Sequence, residues 1–314
     1  MPLDWLLKFI NDKLIEVHSA VIMAHALNDK RRLRVRDPSR SDIGETNLAQ
    51  RSSETDWQSP PASLALETNE VHLWRANLQV PAGDLARLHG LLSPDERARA
   101  KSYRFERDRE RFIVARGFLR TILGLYLDCG PAALHFNYAE HGKPSLADPV
   151  CEDASLNFNL AHSGKLAIYG ITRRRALGVD LELIRPDLTG EDIARRFFSA
   201  NDTASLLAIP ASRRQRAFYD GWTRKEAFIK AKGSGLLLPL DQFDVALSPG
   251  EPAALLRTGW DLSEASRWSL RAIDVAPDYA AAIAVEGHDW RLRCWLASVE
   301  ILRWISPNRS VFDA

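Results

Sequence analysis

Residues 177–183 read Leu-Gly-Val-Asp-Leu-Glu-Leu. Side chains alternate along an extended strand, so Asp180 and Glu182 share one face and the apolar residues the other. Two carboxylates side by side repel unless a cation sits between them, and an all-oxygen donor pair suits Mg²⁺. Taken alone, the pattern also describes any amphipathic strand with an acidic solvent face. A second stretch places Trp222, Glu226 and Lys230 at i, i+4 and i+8 of a helix, with Lys225 and Ile229 flanking that line. An exposed Glu–Lys pair at this spacing contributes only about 0.3–0.5 kcal/mol. Here the charges border the apolar stripe instead of lying opposite it, a position solvated pairs avoid. A third stretch, Asn157 to Gly164, ends a strand at His162, where an imidazole either donates to a phosphate or serves as a capping or core histidine. His141-Gly142-Lys143-Pro144 is a turn that presents a lysine. Three carboxylates with a divalent metal and lysines are the components of phosphoryl transfer, in which positioning and charge neutralisation lower the barrier.

The elements around these groups mix helices and strands without strict alternation, which favours an α+β fold. Strands are expected near 71–75, 134–138, 156–160, 166–171, 177–183, 243–247, 268–275 and 279–285. Ser93-Pro94-Asp95-Glu96 has the form of a helix start and predicts a helix, broken or continuous, to about Leu123. Thr189 and Ser199 each precede an acid by three residues and read as further helix starts, and a long helix over 212–232 ends at Gly233. Before residue 70 the texture differs. Leu6, Ile10, Leu14, Val17, Val21 and Ala24 form one apolar helical face, a basic run follows from Lys30 to Arg36, and 37–61 is polar and proline-rich. Residues 1–69 are therefore expected to be an extension with a disordered linker.

The 314 residues carry 42 Lys+Arg against 41 Asp+Glu, a formal net charge of +1. A nucleic-acid coat is excluded by that balance, and an anion site must be local. Cys129, Cys151 and Cys294 are widely spaced, which argues against a zinc site or a disulfide framework and fits a reducing cytoplasm. No run approaches the ~18 apolar residues of a membrane span. Asp4 and Asp12 interrupt what would be a secretory leader. No Walker-type phosphate loop, nucleophile elbow or zinc-protease helix motif occurs.

Four stretches in this order resemble the 4′-phosphopantetheinyl transferases of the larger, monomeric type. They are His141–Pro144, Phe158–Ser163, Gly178–Glu182, and Trp222–Lys230 continuing through Gly233-Ser234-Gly235-Leu236, with Arg195–Ser199 also similar. The resemblance spans about Val71 to Val285. It implies two similar α+β halves related by pseudo-twofold symmetry, 70–178 and 179–299, with the active site between them and 300–314 as a tail. It implies Mg²⁺-dependent transfer of phosphopantetheine from coenzyme A to a serine of an apo acyl or peptidyl carrier protein of fatty-acid, polyketide or nonribosomal-peptide synthesis. By the same resemblance, Asp180, Glu182 and Glu226 hold the metal, and Glu226 or a metal-bound water takes the serine proton. Lys230 and Lys225 supply positive charge. Lys143 and His162 bind the coenzyme A phosphates and nucleotide end, with Arg97, Arg99 or Arg104 at the 3′-phosphate. Many relatives carry a hydroxyl residue where Ala161 precedes the histidine here, so one phosphate hydrogen bond is expected to be missing. Two alternatives stand beside this expectation: a non-catalytic module that binds coenzyme A or a carrier protein, and a metal-dependent phosphodiesterase.

Overall fold

A computed structural model of the chain describes residues 55–61, 63–138, 143–147, 155–233 and 238–304. The amphipathic face over 6–24, the basic run, most of the polar linker, His141, Gly142, Cys151 and Ser234 to Leu236 lie outside the described residues. After a two-residue strand β1 (Trp57–Gln58), one order of elements occurs twice. The first pass is a strand, β2 (Glu70–Asn77), three helices, α1 (Ala82–Gly90), α2 (Pro94–Ser102) and α3 (Glu106–Leu127), a short hairpin, β3 (Phe136–Tyr138) and β4 (Pro144–Leu146), and a long hairpin, β5 (Leu156–Ser163) and β6 (Leu166–Arg173). The second is β7 (Leu177–Leu183), then α4 (Glu191–Phe197), α5 (Ala200–Ala208) and α6 (Ala211–Lys232), then β8 (Phe243–Val245) and β9 (Leu255–Thr258), then β10 (Trp268–Ala272) and β11 (Tyr279–Glu286). In each pass the opening strand pairs antiparallel with the last, so the orders β2-β6-β5 and β7-β11-β10 match. The final strand, β12 (Arg291–Ala297), runs parallel to β2 and inserts between β2 and β1. The fold is α+β, as the sequence implies.

Local chemistry sets the element ends. The backbone N–H of Ser93 donates to the Glu96 carboxylate at 3.1 Å, and Pro94 occupies the first helical position of α2. The expected long helix breaks over 103–105, between α2 and α3. Ser199 caps α5 by accepting the Asp202 N–H at 3.0 Å. The start expected at Thr189 instead falls on Gly190, whose φ of +78° favours glycine. Gly233 ends α6 in the left-handed region and donates its N–H to the carbonyls of Ile229 and Lys230. Helix α1, and strands β1, β4, β9 and β12, are additions to the sequence expectation.

Two apolar clusters hold the body together. Trp74, Phe118, Leu119, Ile122 and Tyr169 fill the space between the first sheet and α1–α3. Val71, Leu73 and Ile168 pack with Val179, Leu181 and Ile283 between the two sheets. Burying each such side chain contributes ~1.5–3 kcal/mol. Residues 55–61 and 63–69 pack with this body. Leu66 is buried, the Trp57 indole N–H donates to the carbonyl of Asp274 at 2.7 Å, and the Arg75 guanidinium lies 4.8 Å from the Trp57 ring.

Candidate active site

Strand β7 turns its apolar residues to the sheet interface and presents Asp180 and Glu182 to α6, which packs on β7 and β11. Gly178 makes the close approach possible. A Cβ there would meet the Ala227 carbonyl at 2.1 Å and the Ala231 nitrogen at 2.4 Å, so no other residue fits without separating strand from helix. Across the contact, the Lys230 ammonium reaches Asp180 Oδ1 at 2.8 Å. Asp180 is 1% exposed, and its second oxygen, Oδ2, is buried with no hydrogen-bond partner among the described residues. Glu182 is 3% exposed and accepts from the Ser163 hydroxyl at 3.2 Å. Glu226 stands one turn before Lys230 on the same helix and is half-buried, more open than either strand carboxylate.

The structure thus brings Asp180, Glu182 and Lys230 together. Among the described residues no three His, Cys, Asp or Glu side chains gather closely enough to enclose a metal. The Lys230 ammonium takes the position on Asp180 Oδ1 instead. The donors still fit a hard divalent cation in kind. They are carboxylate oxygens, one is a buried orphan, and Mg²⁺ is usually held by one or two carboxylates with substrate phosphates and water completing the shell.

Lys225 is a correction. Its side chain points away from Asp180 and is fully buried, with Nζ 2.5 Å from Asp202 and donating to the carbonyls of Leu240 at 2.8 Å and Phe243 at 2.5 Å. Burial pulls its pKa below the ordinary lysine range, against the opposing charge of Asp202. Trp222, one turn before Glu226 on α6, packs against Phe198 and Phe218.

The expected phosphate-binding residues are dispersed. Lys143 lies against the end of α6, donating to the Lys230 carbonyl at 2.7 Å and the Leu177 carbonyl at 3.4 Å. Burial, then the charge of Lys230, bring its pKa down to about 8. His162 is half-buried on β5 opposite Ala167, on the other face from Asn159 and Ser163. Arg97 donates to the Gly90 carbonyl at 3.0 Å and so ties α2 to α1. Arg99 lies 5.5 Å from the Phe112 ring, and Arg104 is exposed with its guanidinium 5.4 Å from the Phe105 ring. These arginine contacts stay within the first helical layer.

Two residues escaped the sequence reading of the site. Asn159 Oδ1 accepts the Val179 N–H at 2.8 Å, and Ser163 Oγ accepts the Leu183 N–H at 3.1 Å. They alternate with the apolar positions of β5, a signal that marks an edge-facing side chain only once its neighbour strand is known.

A duplicated α+β frame with a carboxylate–lysine centre in its second half defines the class. Residues 79–171 match the 4′-phosphopantetheinyl transferase, N-terminal family, and residues 176–284 match the 4′-phosphopantetheinyl transferase superfamily. The 4′-phosphopantetheinyl transferase HetI of a Nostoc species is 40% identical over 241 residues, covering 76% of this chain and 97% of that protein. The 4′-phosphopantetheinyl transferase Sfp of Bacillus subtilis is 29% identical over 217 residues, covering 69% of this chain and 92% of that protein. The chain belongs to the 4′-phosphopantetheinyl transferase superfamily and is an enzyme of its larger, Sfp-like type.

Proposed function

We propose that the protein transfers phosphopantetheine from coenzyme A to a serine of an apo carrier protein, with a divalent cation, Mg²⁺, at Asp180 and Glu182. The observation that carries this reading is the Asp180 carboxylate, one oxygen on the Lys230 ammonium and the other buried and unpartnered. With Lys230 already on Oδ1, the buried Oδ2 has lost water without gaining a donor among the described residues, a cost that a second cation at that oxygen would offset. When bound, the metal neutralises charge on the diphosphate. Lys230 sits where it can offset charge on the leaving oxygen. Glu226, the most open of the three acids and a candidate third donor, takes the serine proton. The serine oxygen bonds to the phosphorus that bears the pantetheine arm, the bond from that phosphorus to the bridging oxygen breaks, and adenosine 3′,5′-bisphosphate leaves. Lys143 and His162, with an arginine of the 97–104 stretch, bind the phosphates and nucleotide. For Lys143 this requires exchanging a backbone carbonyl for a phosphate oxygen. No helix among the described residues is long and apolar enough to cross a membrane. We place the enzyme in the cytoplasm as a monomer, a location that the free thiols of Cys129 and Cys294 fit.

The test is intact-mass measurement of apo carrier proteins incubated with the protein, coenzyme A and Mg²⁺. A gain of one phosphopantetheine, abolished by EDTA, is expected. No gain on any carrier, from folded protein that binds coenzyme A, overturns the transfer in favour of a binding module.

A further inference from the structure

The two sheets meet along β5 and β7, and no backbone ladder joins these strands. Instead two β5 side chains accept β7 backbone N–H groups, Asn159 from Val179 and Ser163 from Leu183. Both pairs are twenty residues apart, so the strands run in the same direction and in fixed register. Edge N–H groups are thereby satisfied without a ladder. Asn159 does only this. Ser163 does more, because its Oγ also stands 3.2 Å from Glu182 Oε2. A hydroxyl has one proton. With the Leu183 N–H occupying an acceptor site, that proton is directed at the Glu182 carboxylate.

We propose that Ser163 is a positioning residue for Glu182: from the first half of the molecule it holds the carboxylate that β7 offers to the cation, a role that rests on the reading of Glu182 as a metal ligand. Partners of this kind fix a ligand's rotamer, and losing one typically weakens metal binding about 10–100-fold. The hydroxyl also carries the register of β5 into the site, so a shift between the two sheets moves Glu182.

The test is Mn²⁺ binding to the full chain, followed by electron paramagnetic resonance without coenzyme A or carrier protein, with Tm measured in parallel. Ser163→Ala is expected to weaken Mn²⁺ binding at least about tenfold. Ser163→Thr, which keeps the hydroxyl, is expected to restore it. Asn159→Ala removes the other seam contact and is expected to lower Tm while leaving Mn²⁺ affinity within about twofold, since Asn159 touches no carboxylate. Unchanged affinity in Ser163→Ala overturns the proposal, and so does an equal loss in Asn159→Ala, which would make the effect one of seam integrity. Glu182→Gln separates the two levels: if it leaves Mn²⁺ binding intact, the metal reading itself fails, whereas a loss there beside unchanged Ser163→Ala overturns only the role of Ser163. Should Ser163→Ala not fold, Ser163→Cys, of similar size and a weak donor, carries the same test with the same outcomes.

Discussion

The two halves share a buried strut and differ in what lies between strand and helix. In the first half, Glu96 of α2 accepts from Arg116 at 2.9 Å and from Arg120 at 2.6 Å, both on α3. Arg120 also donates to the carbonyls of Pro131 and Leu134, and its guanidinium lies 5.1 Å from the Phe136 ring. In the second half, Asp202 of α5 pairs with Lys225 of α6, which donates to the carbonyls of Leu240 and Phe243 and lies 4.2 Å from the Phe243 ring. Each acid is the third residue of its helix, each cation is on the long third helix, and each pair of carbonyls leads into the short hairpin. Lys225 therefore does for one half what Arg120 does for the other.

Matching the halves through this strut places His72 and Tyr126, bonded at 2.7 Å, opposite Gly178 and Ala231. Trp74 then stands opposite Asp180, Ala76 opposite Glu182, Thr121 opposite Glu226 and Leu125 opposite Lys230. One frame is filled with rings and methyl groups, the other with charge. Buried charges do not improve on an apolar filling for stability. Under the proposed function, the first half's strand–helix contact serves packing and the second's serves chemistry.

The largest expected effect is at Glu226. Glu226→Gln should lower transfer about 10²–10⁴-fold, the range a general base supplies, with Tm near that of the parent. Intact-mass rates beside thermal melts check both. Next come the struts. Lys225→Met leaves Asp202 buried and unpaired and should cost about 3–5 kcal/mol; Arg120→Met in the first half should cost less, because Arg116 stays on Glu96, and Lys225→Arg should recover most of the loss at Lys225. Urea unfolding measures all three, and a Lys225→Met protein of normal stability but no activity would return Lys225 to the chemistry. Gly178→Ala forces a methyl into the α6 backbone and should cost about 1–3 kcal/mol, with activity reduced because Lys230 is moved off Asp180.

The smallest effect is a pH slope from the first half. Burial lowers the pKa of His72 below its ordinary 6.5, outweighing the ring's hydrogen bond to the Glu70 carboxylate, and Arg293 adds to the lowering. The folded state keeps His72 neutral where the unfolded chain protonates. Its contribution is fully present above pH 6.5 and is lost as pH falls from there toward the folded pKa. Urea midpoints from pH 8 to 5 should decline, and His72→Gln should flatten the slope. An unchanged slope in His72→Gln removes His72 as its source.

Much of the second half was legible because its signals are local. The alternation over 177–183, the glycine stop after Lys232, and the Ser199 cap depend on backbone geometry within a few residues. The helix α1 escaped because its start at Pro81 has no side-chain cap and follows a strand without a strong turn. Strand β12 escaped because its partner, β2, lies more than two hundred residues away, and its alternation is weak until that pairing defines a face.

The sequence by itself determined that Asp180 and Glu182 share a face and that Glu226 and Lys230 sit one turn apart, since both follow from short-range periodicity, and its motifs carry the family resemblance. Tertiary structure decided what each side chain meets. The same helix sends Lys225 inward to Asp202 and Lys230 across to Asp180, because α5 and the β8 loop cover one flank and β7 the other. Ser163 reaches Glu182 only because two sheet edges run side by side, a juxtaposition set by the packing of Val179 and Leu181 against the first sheet. Periodicity fixes which residues can share a face, and burial against distant elements fixes what that face touches.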